Sequence, residues 1–249
     1  MSRRPLLAGN WKMYKTSAEA AALVKGLLDG LGKITDRDIV VAPPYTSLVS
    51  IASLVKGSPI ALSAQNLFWE KEGAFTGEVS AEMLKEIGCS HAIIGHSERR
   101  QFFDETDETV KKKTAAALRA DLTPIVCVGE KLAERESEQT LSVIERQLKN
   151  GLSGFTEVQV SKMVVAYEPV WAIGTGKTAT PDQAQEVHAM IRKWIRSQWG
   201  AVADATRILY GGSVKPDNVA ALMDQPDIDG GLVGGASLKA ADFLAIIHG

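Results

Sequence analysis

The stretch Met163-Val164-Val165-Ala166-Tyr167-Glu168-Pro169 decides the fold, because it indicates a buried strand that ends in a carboxylate. Its first five residues are nearly all apolar and partly β-branched, which is typical of a short buried strand. Pro169 disfavours a helix that begins directly after it. Glu168 is therefore predicted at the carboxyl end of a strand. The alternative is a glutamate that merely faces solvent, which is the commoner case for one such residue alone.

Short apolar runs of the same kind recur along the chain and predict eight strands. They cover residues 5–9, 39–42, 60–64, 92–95, 124–128, 163–167, 207–210 and 230–233. Between them, apolar and charged positions recur at spacings of three and four, which predicts helices. The clearest helices cover residues 17–28, 106–119, 132–148 and 181–199.

Helix start signals agree with this alternation. Ser17 precedes Glu19 at the start of one helix, and Thr180-Pro181 places a capping residue before a proline at the first helical position. Lys215-Pro216-Asp217 has a similar pattern and predicts another helix start.

Strands that alternate with helices predict right-handed crossovers and a parallel sheet. Eight such units are the number that closes a barrel, so the predicted fold is α/β, a (β/α)8 barrel. An open doubly wound sheet is the alternative. No linker, composition break or low-complexity tract divides the chain, so residues 1–249 are predicted to form a single domain.

Bulk composition limits the partners of the chain. Its 28 basic and 30 acidic residues leave a formal charge of −2, which gives no field that would attract nucleic acid or an anionic membrane. No segment approaches the roughly 18 apolar residues of a membrane span, and the first apolar run is too short for a signal peptide. Any anion site must therefore be local, and a cytoplasmic location is predicted.

Cysteine and histidine usage gives no sign of a metal centre. Cys89 and Cys127 lie in unrelated contexts without a C-x-x-C motif, so reduced thiols are expected. The four histidines lack the paired spacing of a zinc site, and no metal is predicted.

Polar and glycine residues follow several predicted strands at their carboxyl ends, where the sites of α/β folds lie. They are Asn10 and Lys12 after the first strand, His96 and Glu98 after the fourth, Glu168 after the sixth, Gly211-Gly212-Ser213 after the seventh, and Gly234-Gly235 after the eighth. Each alone has an ordinary interpretation as a surface charge, a core histidine or a tight turn. Their common position favours one site.

The chemistry of this set indicates proton transfer on a phosphorylated substrate. Glycine turns after strands seven and eight expose backbone N–H groups, and a short helix after Gly235 would add its positive end, which suits a phosphate. A carboxylate base, an imidazole and an ammonium group fit abstraction of a proton next to a carbonyl. Glycosidase chemistry would need a second carboxylate, for which Glu98 is the candidate, but the adjacent Arg99 makes a structural salt bridge the better interpretation.

One local motif suggests another class of site. Gly174-Thr175-Gly176-Lys177-Thr178 resembles the end of a nucleotide-binding P-loop. However, Trp171 stands where the first glycine of that loop is required, so a nucleotide site is not predicted.

Four long motifs, in order along the chain, are together similar to the triosephosphate isomerase family. They are Ala8-Gly9-Asn10-Trp11-Lys12-Met13, Gly95-His96-Ser97-Glu98-Arg99-Arg100, the segment 166–176 around Glu168, and Tyr210-Gly211-Gly212-Ser213-Val214-Lys215. The likeness spans essentially the whole chain. It implies a TIM barrel that interconverts dihydroxyacetone phosphate and D-glyceraldehyde 3-phosphate without a cofactor or metal.

The resemblance also implies roles for individual residues, which follow the general description of this family. Glu168 would move the proton between two carbons, neutral His96 would polarise the carbonyl, Lys12 would supply positive charge, and Asn10 would donate a hydrogen bond. A helix amino end is expected to lower the pKa of His96. Backbone amides near Gly174, Ser213, Gly234 and Gly235 would hold the phosphate.

A lid and a homodimer are further implications. Segments 169–171 and 177–179 match the two hinges of the family's lid, whose closure would prevent an enediolate from eliminating its phosphate. Segment 65–77 resembles a loop that reaches a partner subunit, with Thr76 near the partner's Asn10 and Lys12. Glu98 and Arg99 are assigned to the same interface. Packing of the aromatic residues of this loop within their own chain is the alternative.

Other phosphate-binding barrels are the enzymatic rivals. A Schiff-base aldolase needs a lysine on a barrel strand, whereas Lys12 follows Asn10 and Trp11. A metal-dependent epimerase needs a ligand set that is not seen. A catalytically inactive binding protein on this fold is the rival from another class.

Overall fold

Eight parallel strands form the centre of the protein, whose computed structural model describes residues 3–174 and 178–249. The strands are β1 (Leu6–Asn10), β2 (Asp38–Ala42), β3 (Ile60–Ala64), β4 (His91–Ile94), β5 (Thr123–Val128), β6 (Val164–Tyr167), β7 (Arg207–Tyr210) and β8 (Gly230–Val233). Each strand pairs with the next, and β8 pairs with β1. The sheet therefore closes into a barrel, and the open doubly wound alternative is wrong.

Helices surround the barrel and connect its strands. They are α1 (Ser17–Leu31), α2 (Tyr45–Val55), α3 (Ala81–Ile87), α4 (Ser97–Phe102), α5 (Asp107–Arg119), α6 (Leu132–Glu136), α7 (Thr140–Leu152), α8 (Glu157–Val160), α9 (Pro181–Trp199), α10 (Val219–Met223) and α11 (Ala240–His248). Short 3-10 helices cover Val170–Ala172, Gly200–Asp204 and Gly235–Leu238. No helix within residues 3–174 and 178–249 is long and apolar enough to cross a bilayer.

The predicted strand boundaries lie within one residue of the observed ones, and α9 agrees with its prediction at both ends. The predicted helix over residues 132–148 is wrong, because two helices, α6 and α7, occupy this region and α7 continues to Leu152. Glu138 has a φ angle of 56°, and this left-handed conformation breaks the helix between them.

Two predicted helix starts need correction. Thr16, not Ser17, caps α1, because Glu19 accepts the Thr16 N–H at 2.8 Å and completes a capping box. Pro216 lies in a turn, and α10 begins only at Val219. The cap predicted at Thr180 is confirmed.

Two layers of apolar packing hold the barrel. The larger cluster joins strands to helices, whereas the smaller comes from strands alone and fills the interior with residues such as Leu6, Ala8, Val164 and Ala166. Because side chains alternate along a strand, the inward face of β1 continues to Asn10 and that of β6 continues to Glu168. The single-domain organisation stays a prediction, which the pairing of the first and last strands supports.

Candidate active site

Three strand ends, those of β1, β4 and β6, bring the proposed catalytic side chains to the carboxyl face of the barrel. Asn10 is the last residue of β1, and Lys12 follows two residues later. His96 follows β4 and is the N-cap residue of α4, and Glu168 follows β6. Asn10, His96 and Glu168 are all buried, with Glu168 only 1% exposed.

The Glu168 carboxylate lies against His96 and the start of α4. Its Oε1 atom is 2.9 Å from Nε2 of His96, and its Oε2 atom accepts the backbone N–H of Ser97 at 2.8 Å. A buried carboxylate needs such partners, because an unpaired charge in the interior is costly. These contacts hold the carboxylate at the His96 side of β6.

The two side chains shift each other's ionisation in opposite directions. Burial raises the pKa of Glu168, but the close contact with His96 and the hydrogen bond from the Ser97 N–H outweigh it and hold the pKa below its usual value. Burial lowers the pKa of His96, but the carboxylates of Glu168 and Glu98 outweigh it and raise the pKa above its usual value. In this conformation, the expected lowering of the His96 pKa by a helix end is therefore wrong, because Glu168 dominates.

A backbone hydrogen bond fixes the orientation of the imidazole. Nδ1 of His96 accepts the N–H of Glu98 at 3.2 Å, so Nδ1 carries a lone pair rather than a proton. The remaining ring proton then lies on Nε2, which faces Glu168. This is the tautomer that can donate a hydrogen bond into the site.

Lys12 is held in an unusual backbone conformation next to Asn10. Its φ angle is 51°, which costs energy for a residue other than glycine. The Lys12 N–H donates to Oδ1 of Asn10 at 3.1 Å, and the Gln65 amide donates to the Lys12 carbonyl at 2.9 Å. The Lys12 ammonium group pairs with Oε1 of Glu98 at 2.6 Å.

A cavity of about 350 Å³ brings most of the predicted site residues together. Those that line it are Asn10, Lys12, His96, Gly174, Ser213, Gly234 and Gly235. Glu168 does not line this cavity. It lies instead on the wall of an adjacent cavity of about 380 Å³, together with Ser97 and Val170. The Glu168 carboxylate would therefore have to turn toward the first cavity to contact a molecule bound there.

One end of the first cavity is built from backbone. A 3-10 helix begins at Gly235, as the predicted short helix requires, and space around the Gly235 Cα is open. A side chain at Gly212 would lie 2.3 Å from the Tyr210 hydroxyl, so the turn after β7 needs glycine. Backbone N–H groups in such turns suit an anion.

Sequence reasoning missed Glu130, which is fully buried below the predicted lid. Its Oε1 atom accepts hydrogen bonds from the Tyr167 hydroxyl at 3.1 Å and from the Trp171 indole at 2.8 Å. Arg135 pairs with the same carboxylate and lies over the Trp171 ring, 4.9 Å from its centroid. The strand-end rule could have found Glu130, because it follows Gly129 directly after β5.

Glu105 is a second missed residue, and it supports the loop that carries His96. It accepts the Gly95 N–H at 2.8 Å and pairs with Arg99 at 2.8 Å and Lys113 at 2.6 Å. No strand end or motif marks it. Glu98 and Arg99 therefore pair with Lys12 and Glu105, respectively, rather than with each other.

Replacing Glu105 by glutamine is expected to lower the free energy of unfolding by about 3 to 5 kcal/mol at neutral pH, because it leaves the buried Lys113 and the partly buried Arg99 without their counter-ion. Burial raises the pKa of Glu105, but Lys113 and Arg99 outweigh it and lower the pKa below 4.5. The stabilisation that the Glu105 carboxylate gives is therefore complete above pH 4.5 and is lost as the pH falls through the lowered pKa of Glu105. Denaturant unfolding of the unmodified protein and of Glu105→Gln between pH 7 and pH 3 measures this stabilisation. If the difference between their free energies of unfolding does not shrink in acid, the prediction is wrong.

The predicted interface loop packs on itself. The ring of Phe68 stacks on Trp69 at 4.1 Å and contacts Phe75 at 4.6 Å, as the alternative of packing within one chain expects. Thr76 is exposed. The interface roles of Thr76, Glu98 and Arg99 stay predictions. Of the predicted lid, Thr175, Gly176 and Lys177 lie outside the described residues.

Comparison with known proteins agrees with this geometry. The family model for triosephosphate isomerase matches residues 5–249. The chain belongs to the triosephosphate isomerase family. It is 59% identical over 245 residues to the triosephosphate isomerase of Endomicrobium trichonymphae, covering 98% of each chain. It is 58% identical over 247 residues to that of Citrifermentans bemidjiense, covering 99% of this chain and 98% of the relative.

A solved member of the triosephosphate isomerase family has the same fold. The crystal structure of the enzyme from Bartonella henselae superimposes with a TM-score of 0.89 at 41% identity, covering 98% of both chains. The predicted family, (β/α)8 barrel and isomerase class are confirmed. No group of three or more histidine, cysteine, aspartate or glutamate residues in the described part of the chain is arranged to hold a metal ion.

Proposed function

We propose that the cavity at the carboxyl face of the barrel interconverts dihydroxyacetone phosphate and D-glyceraldehyde 3-phosphate. The observation that carries this is the convergence of Asn10, Lys12 and His96 with a backbone-lined anion end on one cavity, with a buried carboxylate 2.9 Å from the imidazole. Family membership supports the same reaction.

The substrate phosphate would occupy the end formed by the turns after β7 and β8. Ser213, Gly234 and Gly235 line this end, where their backbone N–H groups would bind the phosphate, and Gly174 lines the same cavity. Such dipoles stabilise a phosphate without an excess of fixed charge. The carbonyl and hydroxyl carbons of the substrate would then lie toward Asn10, Lys12 and His96.

Glu168 is the proposed base. It takes a proton from the carbon next to the carbonyl, and the electron pair of the broken C–H bond forms an enediolate. The same carboxyl group then returns a proton to the neighbouring carbon, which completes the exchange of aldehyde and ketone. The pKa of Glu168 is lowered by His96 and the Ser97 N–H, against its burial, so leaving those contacts strengthens it as a base.

His96 is the proposed proton donor to the substrate oxygens, and Lys12 the proposed positive charge beside them. When Glu168 turns to the substrate, His96 loses the carboxylate that raises its pKa, while Nδ1 still accepts the Glu98 N–H. The imidazole then remains neutral and donates from Nε2. Asn10 and Lys12 are held for this purpose by the hydrogen bond between them.

The segment after Glu168 is the proposed lid. Its first hinge, residues 169–171, overlaps the 3-10 helix Val170–Ala172, and the Trp171 indole in it donates a hydrogen bond to Glu130 at 2.8 Å. Closure over the substrate would exclude water and keep the enediolate from losing phosphate. Part of the second hinge, Thr178 and Ala179, precedes Thr180, the N-cap residue of α9.

A homodimer is also proposed, together with a cytoplasmic location. Large apolar side chains are exposed near the site, including Met13 at 93%, Phe102 at 65% and Phe103 at 62%. Such a concentration is typical of an interface. Sedimentation at micromolar concentration measures the dimer, and a fully active monomer contradicts it.

The reaction is tested by assaying the purified chain with D-glyceraldehyde 3-phosphate in the presence of a chelator. We expect turnover without added metal or cofactor. A folded protein that binds phosphate but does not isomerise the substrate would overturn the proposal in favour of a binding protein.

A further inference from the structure

We propose that Lys215 supplies the positive charge that attracts the substrate dianion to the cavity. This inference rests on the proposed function. Of the described residues that line the cavity, two are lysines, Lys12 and Lys215, and none is a carboxylate. Lys215 lies on the turn after β7, next to Ser213 at the proposed phosphate end.

The charge of Lys12 is already balanced. Its ammonium group pairs with Glu98 at 2.6 Å, and the Glu168 carboxylate lies beside the neutral His96 tautomer. The Lys12–Glu98 pair therefore carries no net charge and by itself attracts an anion only weakly.

Lys215 differs from Lys12 because its ammonium group is exposed and pairs with no carboxylate among residues 3–174 and 178–249. The local hydrogen bond at this residue uses only its backbone N–H, which donates to Oδ1 of Asn218 at 2.8 Å. The side chain is thus free to contribute its charge at the mouth of the cavity.

The remainder of the chain does not supply this attraction. The whole chain, with Lys215 included, has a formal net charge of −2, whereas a phosphate monoester carries about −1.5 to −2 at neutral pH. The association rate of a charged substrate depends on the local electrostatic potential at the cleft rather than on the net charge of the protein. One unpaired cation at the entrance of the cavity therefore raises this rate strongly. In an enzyme that works near the diffusional ceiling, as triosephosphate isomerases do, kcat/KM is set by the rate at which enzyme and substrate associate.

The test compares Lys215→Gln with a matched control, Lys56→Gln. Lys56 is exposed, follows α2 and precedes β3, so it lies toward the opposite end of the barrel and its replacement changes the net charge equally. For D-glyceraldehyde 3-phosphate at ionic strength of about 0.01 M, we expect Lys215→Gln to lower kcat/KM roughly three- to ten-fold with kcat unchanged. The difference should disappear at about 1 M, where the Debye length is only about 3 Å.

Two further measurements separate charge from structural damage. Lys215→Arg should retain the kcat/KM of the unmodified protein, and turnover of uncharged D-glyceraldehyde should be the same in Lys215→Gln. The proposal is overturned if Lys215→Gln and Lys56→Gln have the same salt dependence, or if glyceraldehyde turnover falls as much as that of the phosphorylated substrate. An unmodified protein without isomerase activity refutes the proposed function instead, so the two failures are distinguishable.

Discussion

Replacing Glu168 by aspartate is expected to lower kcat/KM for D-glyceraldehyde 3-phosphate on the order of 10²-fold or more, because it withdraws the proposed base by about one methylene. The side chain is 1% exposed and already has to turn from the Ser97 N–H toward the substrate cavity. A side chain that is one methylene shorter on the same backbone would hold its carboxylate farther from that cavity. The effect should appear in kcat, since the phosphate end of the cavity is untouched.

Steady-state kinetics at several substrate concentrations measure this effect. Circular dichroism and thermal unfolding must show that the aspartate variant is folded, and competitive inhibition by inorganic phosphate should be unchanged. If kcat falls by less than a factor of about three, Glu168 is not the base. Glu98 then becomes the residue to replace.

Replacing Gly129 by alanine is expected to lower kcat by about 10²-fold without touching any proposed catalytic side chain. A Cβ atom at Gly129 would lie 1.8 Å from the Glu168 carbonyl oxygen, a distance that the backbone cannot accommodate. Either β5 or the end of β6 must shift, and the second shift moves the base. Misplacement by about 1 Å is enough for an effect of this size.

Gly151→Ala is the matched control. Its Cβ atom would make an ordinary contact of 3.5 Å with Val110, and Gly151 lies inside α7, where alanine is the better helix former. We expect its kcat to be unchanged and its stability to be equal or higher. Gly129→Ala with normal kcat and normal stability would show that the barrel absorbs the strain elsewhere.

If Gly129→Ala does not fold, Gly211→Ala tests the same requirement for space around Glu168 with a smaller steric clash. A Cβ atom there would lie 2.8 Å from Cγ of Glu168, which is part of a flexible side chain. A lower kcat with little loss of stability is the expected result. Normal activity in this variant contradicts the requirement for space around the base.

The local pattern of residues was enough to predict the barrel. Short apolar runs and helical spacings give strand boundaries within one residue, because both depend on neighbours along the chain. The sequence failed at the break between α6 and α7, where Glu138 adopts a left-handed conformation that its residue type does not indicate. It also placed the cap of α1 one residue late, because Thr16 and Ser17 are both capping residue types and serine is the more favoured of the two.

Sequence alone determined which residues meet at the carboxyl face, because alternation along a strand fixes which side chains point inward and βα order fixes which end they reach. Only the tertiary structure decided how they are paired. Glu168 accepts a hydrogen bond from the Ser97 N–H, and Lys12 forms an ion pair with Glu98. The buried Glu105 forms an ion pair with Lys113 and accepts the Gly95 N–H. These contacts join residues distant in sequence, and their strength depends on burial and distance, which no local pattern encodes.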